Sequence, residues 1–438
     1  MKLSVQDCSP FDPPPTADEV TWLQRLASKA QPQAHVMPLG GARDEDEPIV
    51  YCERDGTWWA GRYVGELLFE GHSLTILPRF GMETLRTWLA HVFNLVLVET
   101  PGQVQADASF IVQLLAALWV RGFVDASRHG LPALRTERAS VGLVVRGRLD
   151  VAGTVRLRAA NSPQVASLRR ERSLDNATAR AIVSAYAALR RWMAPVPESF
   201  WLPSRAAELL PHLIAVTGSN PQVPSSAELA RVRYTPLTAA FKPVAELSRR
   251  IALRRGLSSS SADGTCQGVL LDVAELWELY VLAALRRAAE SFEVRHGTLD
   301  FSAWDALLRS ELTAEPLGML KPDALVLKKA SVLGILDAKY KRLHPSQASR
   351  RGPQREDLYQ MAAYLSRYGQ PGSLSWGALA YPYNPDEPGT PPAESGNPWA
   401  LDGARKVYFL SLPHTLEQAA SKLRRVLLQA PEPMPLLP

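Results

Sequence analysis

The chain has 438 residues, 46% of them hydrophobic, with a formal net charge of +5 and three cysteines. That length implies two or three domains with packed cores. Cys8, Cys52 and Cys266 are scattered and odd in number, which opposes a disulfide framework and gives no zinc-ligand spacing. No apolar run reaches the roughly 18 residues needed to span a bilayer, and the positive balance permits a polyanionic partner without specifying one.

In chain order, Met1–Asp7 lacks the apolar core of a signal peptide, so a cytoplasmic protein without a membrane anchor is expected. Ser9-Pro10-Phe11-Asp12-Pro13-Pro14-Pro15 reads as an irregular leader. Residues 48–80 alternate as strands do, with Gly61, Gly65 and Gly71 at turns or bulges, and predict a small β-rich module. From Met82 the pattern turns helical, through LRTWLAHVFNLVLV and ASFIVQLLAALWVRGFV. Trp88, Phe93 and Trp119 fall in these apolar stripes and are expected in the core rather than stacked on bases. Residues 141–255 are rich in arginine, including Arg146, Arg148, Arg156, Arg158, Arg169, Arg170 and Arg172. A planar guanidinium suits phosphate recognition; a solvated face is the competing explanation. Gly218–Ser226 reads as a loop, Gly256–Gly264 as a Ser-rich break and Asn384–Pro392 as a surface insertion.

The chemistry is concentrated further along. Residues 275–282, ELWELYVL, open an amphipathic helix predicted to run to about Glu290. Residues 321–341 read KPDALVLKKASVLGILDAKYK. Ala324–Leu327 and Val332–Leu336 are apolar runs separated by a polar turn, the pattern of a hairpin. Asp323 enters the first strand and Asp337 leaves the second, so antiparallel pairing brings both carboxylates to one end of the sheet. Phosphodiester hydrolysis needs such groups, because Mg²⁺ takes oxygen ligands from one or two carboxylates and activates water beside the anionic substrate. Asp323 and Asp337 are the expected ligands of Mg²⁺, with Mn²⁺ as an alternative and the Ala338 backbone carbonyl as a third donor. Lys339 would orient water or stabilise developing charge. On the following helix Gln360 and Tyr364 are four apart and share a face. Such a Q-x-x-x-Y pair is a feature of many nucleases of the PD-(D/E)xK class. Glu278 on the preceding helix is a candidate auxiliary acid, and Trp376–Pro382 predicts a further strand.

These motifs together resemble the McrC family, the nuclease subunits of McrBC-type modification-dependent restriction systems within the PD-(D/E)xK superfamily. The matching segments are LWELYV at 276–281, KPDALVL at 321–327, GILDAKYK at 334–341, DLYQMAAYL at 357–365 and GALAYP at 377–382. Weaker matches lie upstream, at Val145–Asp150, at Leu174–Arg180 (with Ala179 where the family has Asn) and at Leu74–Phe80, with Arg79 where Lys is commoner. The resemblance spans roughly residues 50–425. It implies an α+β multidomain protein: an N-terminal β-rich module over 1–105 that contacts a partner, a mixed arginine-rich middle region over 106–255, and a restriction-endonuclease-like α/β core over 259–430. It also implies a Mg²⁺-dependent endodeoxyribonuclease of anti-phage defence. Such a nuclease would act on double-stranded, modified DNA with an AAA+ GTPase of the McrB type, and its nuclease domains would pair. Arg146, Arg148 and Lys341 are candidate DNA contacts. The chain has no G-x-x-x-x-G-K-[ST] phosphate loop, so it is not expected to bind nucleotide itself. A stand-alone nuclease and a non-catalytic activator of the ring are the alternatives.

Overall fold

The structure is a computed structural model. It describes residues 1–30, 36–37, 47–93, 106–194, 196–253, 266–297, 300, 304–329, 331–343, 352–368, 374–384, 389–402 and 405–429. The expected break at 256–264 and residues 385–388 of the expected insertion lie outside these.

The elements run as follows. Strand β1 (Lys2–Gln6) precedes helix α1 (Ala17–Lys29), then β2 (Val36–Met37), β3 (Val50–Cys52), β4 (Trp58–Ala60), β5 (Tyr63–Phe69), β6 (His72–Leu77) and α2 (Met82–Phe93). Next come α3 (Ala106–Ala126), β7 (Leu134–Gly142), β8 (Arg148–Leu149), α4 (Val151–Ala159), β9 (Val165–Ser173), α5 (Ala177–Trp192), α6 (Glu198–Trp201), α7 (Ser204–Thr217), α8 (Ser226–Ala230) and α9 (Phe241–Leu253). The chain continues with β10 (Gln267–Asp272), α10 (Val273–Ala288), β11 (Glu293–His296), β12 (Asp305–Arg309), β13 (Pro316–Leu320), β14 (Ala324–Lys328), β15 (Ser331–Ala338) and α11 (Arg355–Arg367). It ends with β16 (Trp376–Pro382), α12 (Pro392–Ser395), β17 (Trp399–Ala400), β18 (Lys406–Leu412) and α13 (Leu416–Gln429).

These elements form two compact units, one joining Met1–Leu95 to Ser261–Pro438 and one of Val96–Ser260. This differs from the three consecutive pieces expected at 1–105, 106–255 and 259–430. The reason is strand β10, which follows the middle region in sequence but pairs antiparallel with β5 from Gln267↔Leu68 to Asp272↔Tyr63. The resulting sheet has the order β1-β6-β5-β10-β2. Its ladder hydrogen bonds join the start of the chain to the C-terminal half. The segment expected as an irregular leader is irregular over Ser9–Pro15 but packed against the sheet. The chain opens with β1, parallel to β6. The segment after it is pinned by backbone bonds from Cys8 to Gly61 (3.0 Å) and from Phe11 to Trp58 (3.0 Å). Phe11 is buried among Trp22, Trp58 and Phe69, an apolar anchor that polar flanks concealed.

The second sheet of the first unit is mixed, in the order β11-β14-β15-β16-β18-β17. β14 and β15 form the expected antiparallel hairpin, with Ala324 opposite Leu336. β15, β16 and β18 are parallel. Both central strands read as unbroken apolar runs, as a sheet covered on both faces requires. β16 is buried throughout. Gly334 sits opposite Trp376 because a Cβ there would lie 2.0 Å from the indole. Helix α10 starts where the buried Asp272 carboxylate accepts the Ala274 and Glu275 N–H groups, satisfying donors a helix start leaves open. Trp88 of α2 packs 4.9 Å from Trp277 of α10.

In the second unit α3, α5, α7 and α9 pack around Leu115, Trp119, Phe123, Ile182, Leu189 and Phe241. Trp119 donates its indole N–H to Ser248 at 2.8 Å. Trp88 and Trp119 are core residues, as expected; the Phe93 side chain lies outside the description. A three-stranded sheet, β7-β9-β8, carries helix α4, none of whose residues is buried. This region exposes Val141, Leu143 (74%), Val144 (70%), Val145, Leu149, Val151 and Val155. No helix among the described residues is long and apolar enough to cross a membrane.

Candidate active site

Hairpin geometry builds the site. Asp323 immediately precedes β14, and Asp337 is the penultimate residue of β15. Because Ala324 faces Leu336, the two acids meet at one sheet end. The tie is direct, since the Ala338 N–H donates to Asp323 Oδ2 at 2.6 Å. Lys339 leaves the strand with its N–H on the Ala380 carbonyl of β16 (2.7 Å). Its ammonium lies 2.5 Å from Asp337 Oδ2 and donates to Gln360 Oε1 at 2.6 Å.

Helix α11 supplies the rest of the network. The Gln360 amide donates to the Tyr364 hydroxyl (3.0 Å), which donates to the Lys321 carbonyl (3.1 Å). The expected Gln360–Tyr364 pair therefore does two things: it aims the lysine, and it fixes the strand leading into Asp323. Helical spacing of four put both on one face, and that face is turned to the site.

Burial and mutual repulsion set the electrostatics. Asp323 is held well above the usual carboxylate range by burial and then by the charges of Glu278 and Asp337; the Ala338 N–H and Lys339 oppose this. Asp337 is raised by burial against the pull of Lys339. Glu278, on the first turns of α10, is pushed up to about 8 by burial and by the charges of Asp272 and Asp337, with Arg62 opposing. Burial works to lower the Lys339 pKa, but Asp337, Asp323 and Asp357 keep it raised, so it stays cationic. Asp323 and Asp337, buried beside one lysine, offer the oxygen donors that a hard cation takes.

The oxygen donors of Asp323 and Asp337, with the Ala338 peptide between them, match the ligand chemistry of Mg²⁺ or Mn²⁺. Among the described residues, no group of three or more His, Cys, Asp or Glu side chains is arranged to hold a metal ion. Any such cation would therefore complete its shell with water and substrate oxygens, as Mg²⁺ commonly does.

The other candidates are placed differently. Lys341 is bonded to Asp357 (3.0 Å) and Gln354 (2.7 Å), tying the end of the hairpin to the start of α11. Arg146 and Arg148 are exposed and belong to the second unit. In the Leu174–Arg180 segment Asn176 caps α5 and Asp175 pairs with Arg180 at 2.8 Å, so those side chains hold a helix start. Sequence reasoning missed Asp357, buried with its second oxygen 3.4 Å from the Tyr381 hydroxyl. It also missed the Asp272–Arg62 pair at 3.1 Å and the Asp7–Arg79 pair at 3.7 Å. Asp357 could have been found, since its helix was already assigned. The two arginine pairs span 210 and 72 residues and leave no local signal.

Fold and site define a multidomain α/β protein with two acids and a lysine at the end of a mixed sheet. A family model described as McrBC 5-methylcytosine restriction system component matches residues 59–382, and the chain belongs to the McrBC family. A solved structure of Thermococcus gammatolerans McrB AAA+ hexamers with bound McrC includes a chain similar to this one. Identity is 16%, with 98% of this chain and 99% of that chain covered at a TM-score of 0.56, a likeness of fold. The cryo-EM structure of the Thermococcus gammatolerans McrBC complex matches with 16% identity over 67% of this chain and 89% of that chain. Its TM-score of 0.33 is too low to bear on the fold. No protein of curated function matches the chain significantly.

Proposed function

We propose that the chain is the DNA-cleaving subunit of a McrBC-type restriction system, a PD-(D/E)xK endonuclease that works with an AAA+ GTPase ring of the McrB type and stimulates it. The observation that carries the reading is Lys339, clamped between Asp337 and Gln360 beside Asp323. A lysine buried among acids only to hold a fold would need no hydrogen-bonded chain through Gln360 and Tyr364 to aim it. Asp323 and Asp337, with the Ala338 carbonyl, would hold Mg²⁺ or Mn²⁺, which when bound neutralises phosphate charge and makes water a better nucleophile. Lys339 presents a cation to the scissile phosphate and can hold the attacking water. Gln360 takes a second hydrogen of that ammonium and so sets its direction. Glu278, protonated more readily than an ordinary glutamate, can give or take a proton at the edge of the site.

The ring contact was expected in the N-terminal module, which β10 instead fuses to the nuclease core. The apolar surface at Val141–Val155, interleaved with Arg146 and Arg148, suits a protein partner better. Substrate choice would rest with the ring. Purified chain, partner, GTP and Mg²⁺ on modified plasmid DNA test the proposal. Cleavage by the native chain and none by Asp337→Asn is expected, with GTPase stimulation unchanged. Cleavage at the native rate by the variant would overturn it.

A further inference from the structure

We propose that Arg79 is a positioning residue for Lys339, acting through the Tyr340 carbonyl, so that the N-terminal sheet sets the geometry of the cleavage site. The inference rests on the nuclease reading and adds to it a residue far outside the motif.

Strand β15 ends at Ala338, and beyond it the Lys341 N–H turns back to the Lys339 carbonyl at 2.8 Å. Lys339 is fixed on one side by its N–H bond to Ala380. On the other side the Arg79 guanidinium donates through Nη2 to the carbonyl of Tyr340, the next residue. The same guanidinium lies 4.5 Å over the Tyr340 ring. That ring is buried 5.4 Å from Phe80 and 6.2 Å from Trp88. Arg79 thus holds both the backbone and the side chain of the residue beside the lysine.

Arg79 is itself held from behind. It follows β6, and its backbone N–H donates to Asp7 Oδ1 at 2.6 Å, just past β1. Asp7 Oδ2 lies 3.7 Å from Arg79 Nε, and the two side chains are 0% and 11% exposed. A buried ion pair is weak evidence of stability, because desolvation offsets its attraction. It does fix direction, since a guanidinium is a planar fork. Here one end of the fork faces Asp7 and the other faces the Tyr340 carbonyl. The parallel β1–β6 pair is therefore joined by one side chain to Tyr340, the residue after the lysine, and a shift of that sheet would move Lys339 relative to Asp337.

The test uses the full chain with its ring partner, GTP and Mg²⁺ on plasmid DNA. Arg79→Met keeps the stem and removes the donors. Its cleavage turnover should fall between about 10- and 100-fold, the scale for a misplaced catalytic group, with unchanged half-saturating DNA and unchanged GTPase stimulation. Arg79→Lys, which keeps one donor, should recover part of the loss. Hydrogen exchange supplies a readout apart from activity: in Arg79→Met the amides of 339–343 should exchange faster while those of β16 do not. Native turnover in Arg79→Met, or equal acceleration of exchange across the whole unit, would overturn the inference and leave the nuclease reading standing. If Arg79→Met does not fold, Asp7→Asn gives the same test, with native turnover again the overturning result. A native chain that never cleaves would remove both readings together.

Discussion

Lys339 is shared. Asp337 offers it charge, Gln360 offers it direction, and Arg79 bonds the carbonyl of the residue that follows it. Lys339→Met should lower cleavage about 10²- to 10⁴-fold, the range for a group acting directly on the reaction. Folding should survive, because Asp337 can take up a proton once its partner is gone: burial already raises its pKa. Gln360→Ala should have a smaller effect, about tenfold, because the amide aims the lysine without touching the phosphate. Single-turnover rates at saturating DNA would separate the two. Equal losses would argue that Gln360 meets the substrate itself.

At the scale of elements, the site depends on how closely β15 and β16 approach. Gly334 and Trp376 are register partners, and the indole occupies the space a side chain would need. Gly377 is similarly covered by the sulfur of Met361 from α11, 2.4 Å from where its Cβ would be. These two glycines let a helix and a tryptophan close over the sheet. Gly334→Ala should therefore destabilise the unit by about 1–3 kcal/mol, the usual cost of overpacking a buried site. The expected result is a lower urea midpoint with an unchanged slope. An unchanged midpoint would mean that Trp376 moves aside freely.

At the scale of the molecule, β10 makes the first unit discontinuous. A fragment of residues 259–430 keeps β10 but loses β5, leaving Val269–Leu271 as an unpaired apolar edge, a known aggregation hazard. That fragment should be insoluble or molten, and size-exclusion chromatography with near-ultraviolet circular dichroism would show it. A monomeric fragment with native tertiary signal would contradict the topology. The second unit exposes its apolar residues together, from Val141 to Val155. On the proposed reading Leu143→Asp and Val144→Asp should reduce stimulation of the partner GTPase at least about tenfold, since a buried contact cannot accept an unpaired charge. The chain itself should remain folded, because both positions face solvent. Each chain also carries one Asp323–Asp337–Lys339 cluster, which on the proposed reading would serve one scissile phosphate. Mixing native chain with excess Asp337→Ala chain should therefore convert linear plasmid products into nicked circles. Linear product in simple proportion to the native fraction would reject paired cutting.

Local pattern alone determined the hairpin, both acids, the lysine and the Gln360–Tyr364 face. Those residues lie within 42 positions, and period-two and period-3.6 spacing fix their faces. The same spacing assigned Trp88 and Trp119 to the core. Tertiary structure decided what touches Tyr340 and where β10 pairs, because Arg79 meets the hairpin across 261 residues and β10 meets β5 across about 200. It also packed Ser9–Pro15 against the sheet, and engaged Lys341 with Asp357. Short-range periodicity records which face of an element is buried; it holds no record of which distant element does the burying. For this protein the candidate site groups could be read along one stretch of chain, whereas the groups that hold them in place were chosen by packing.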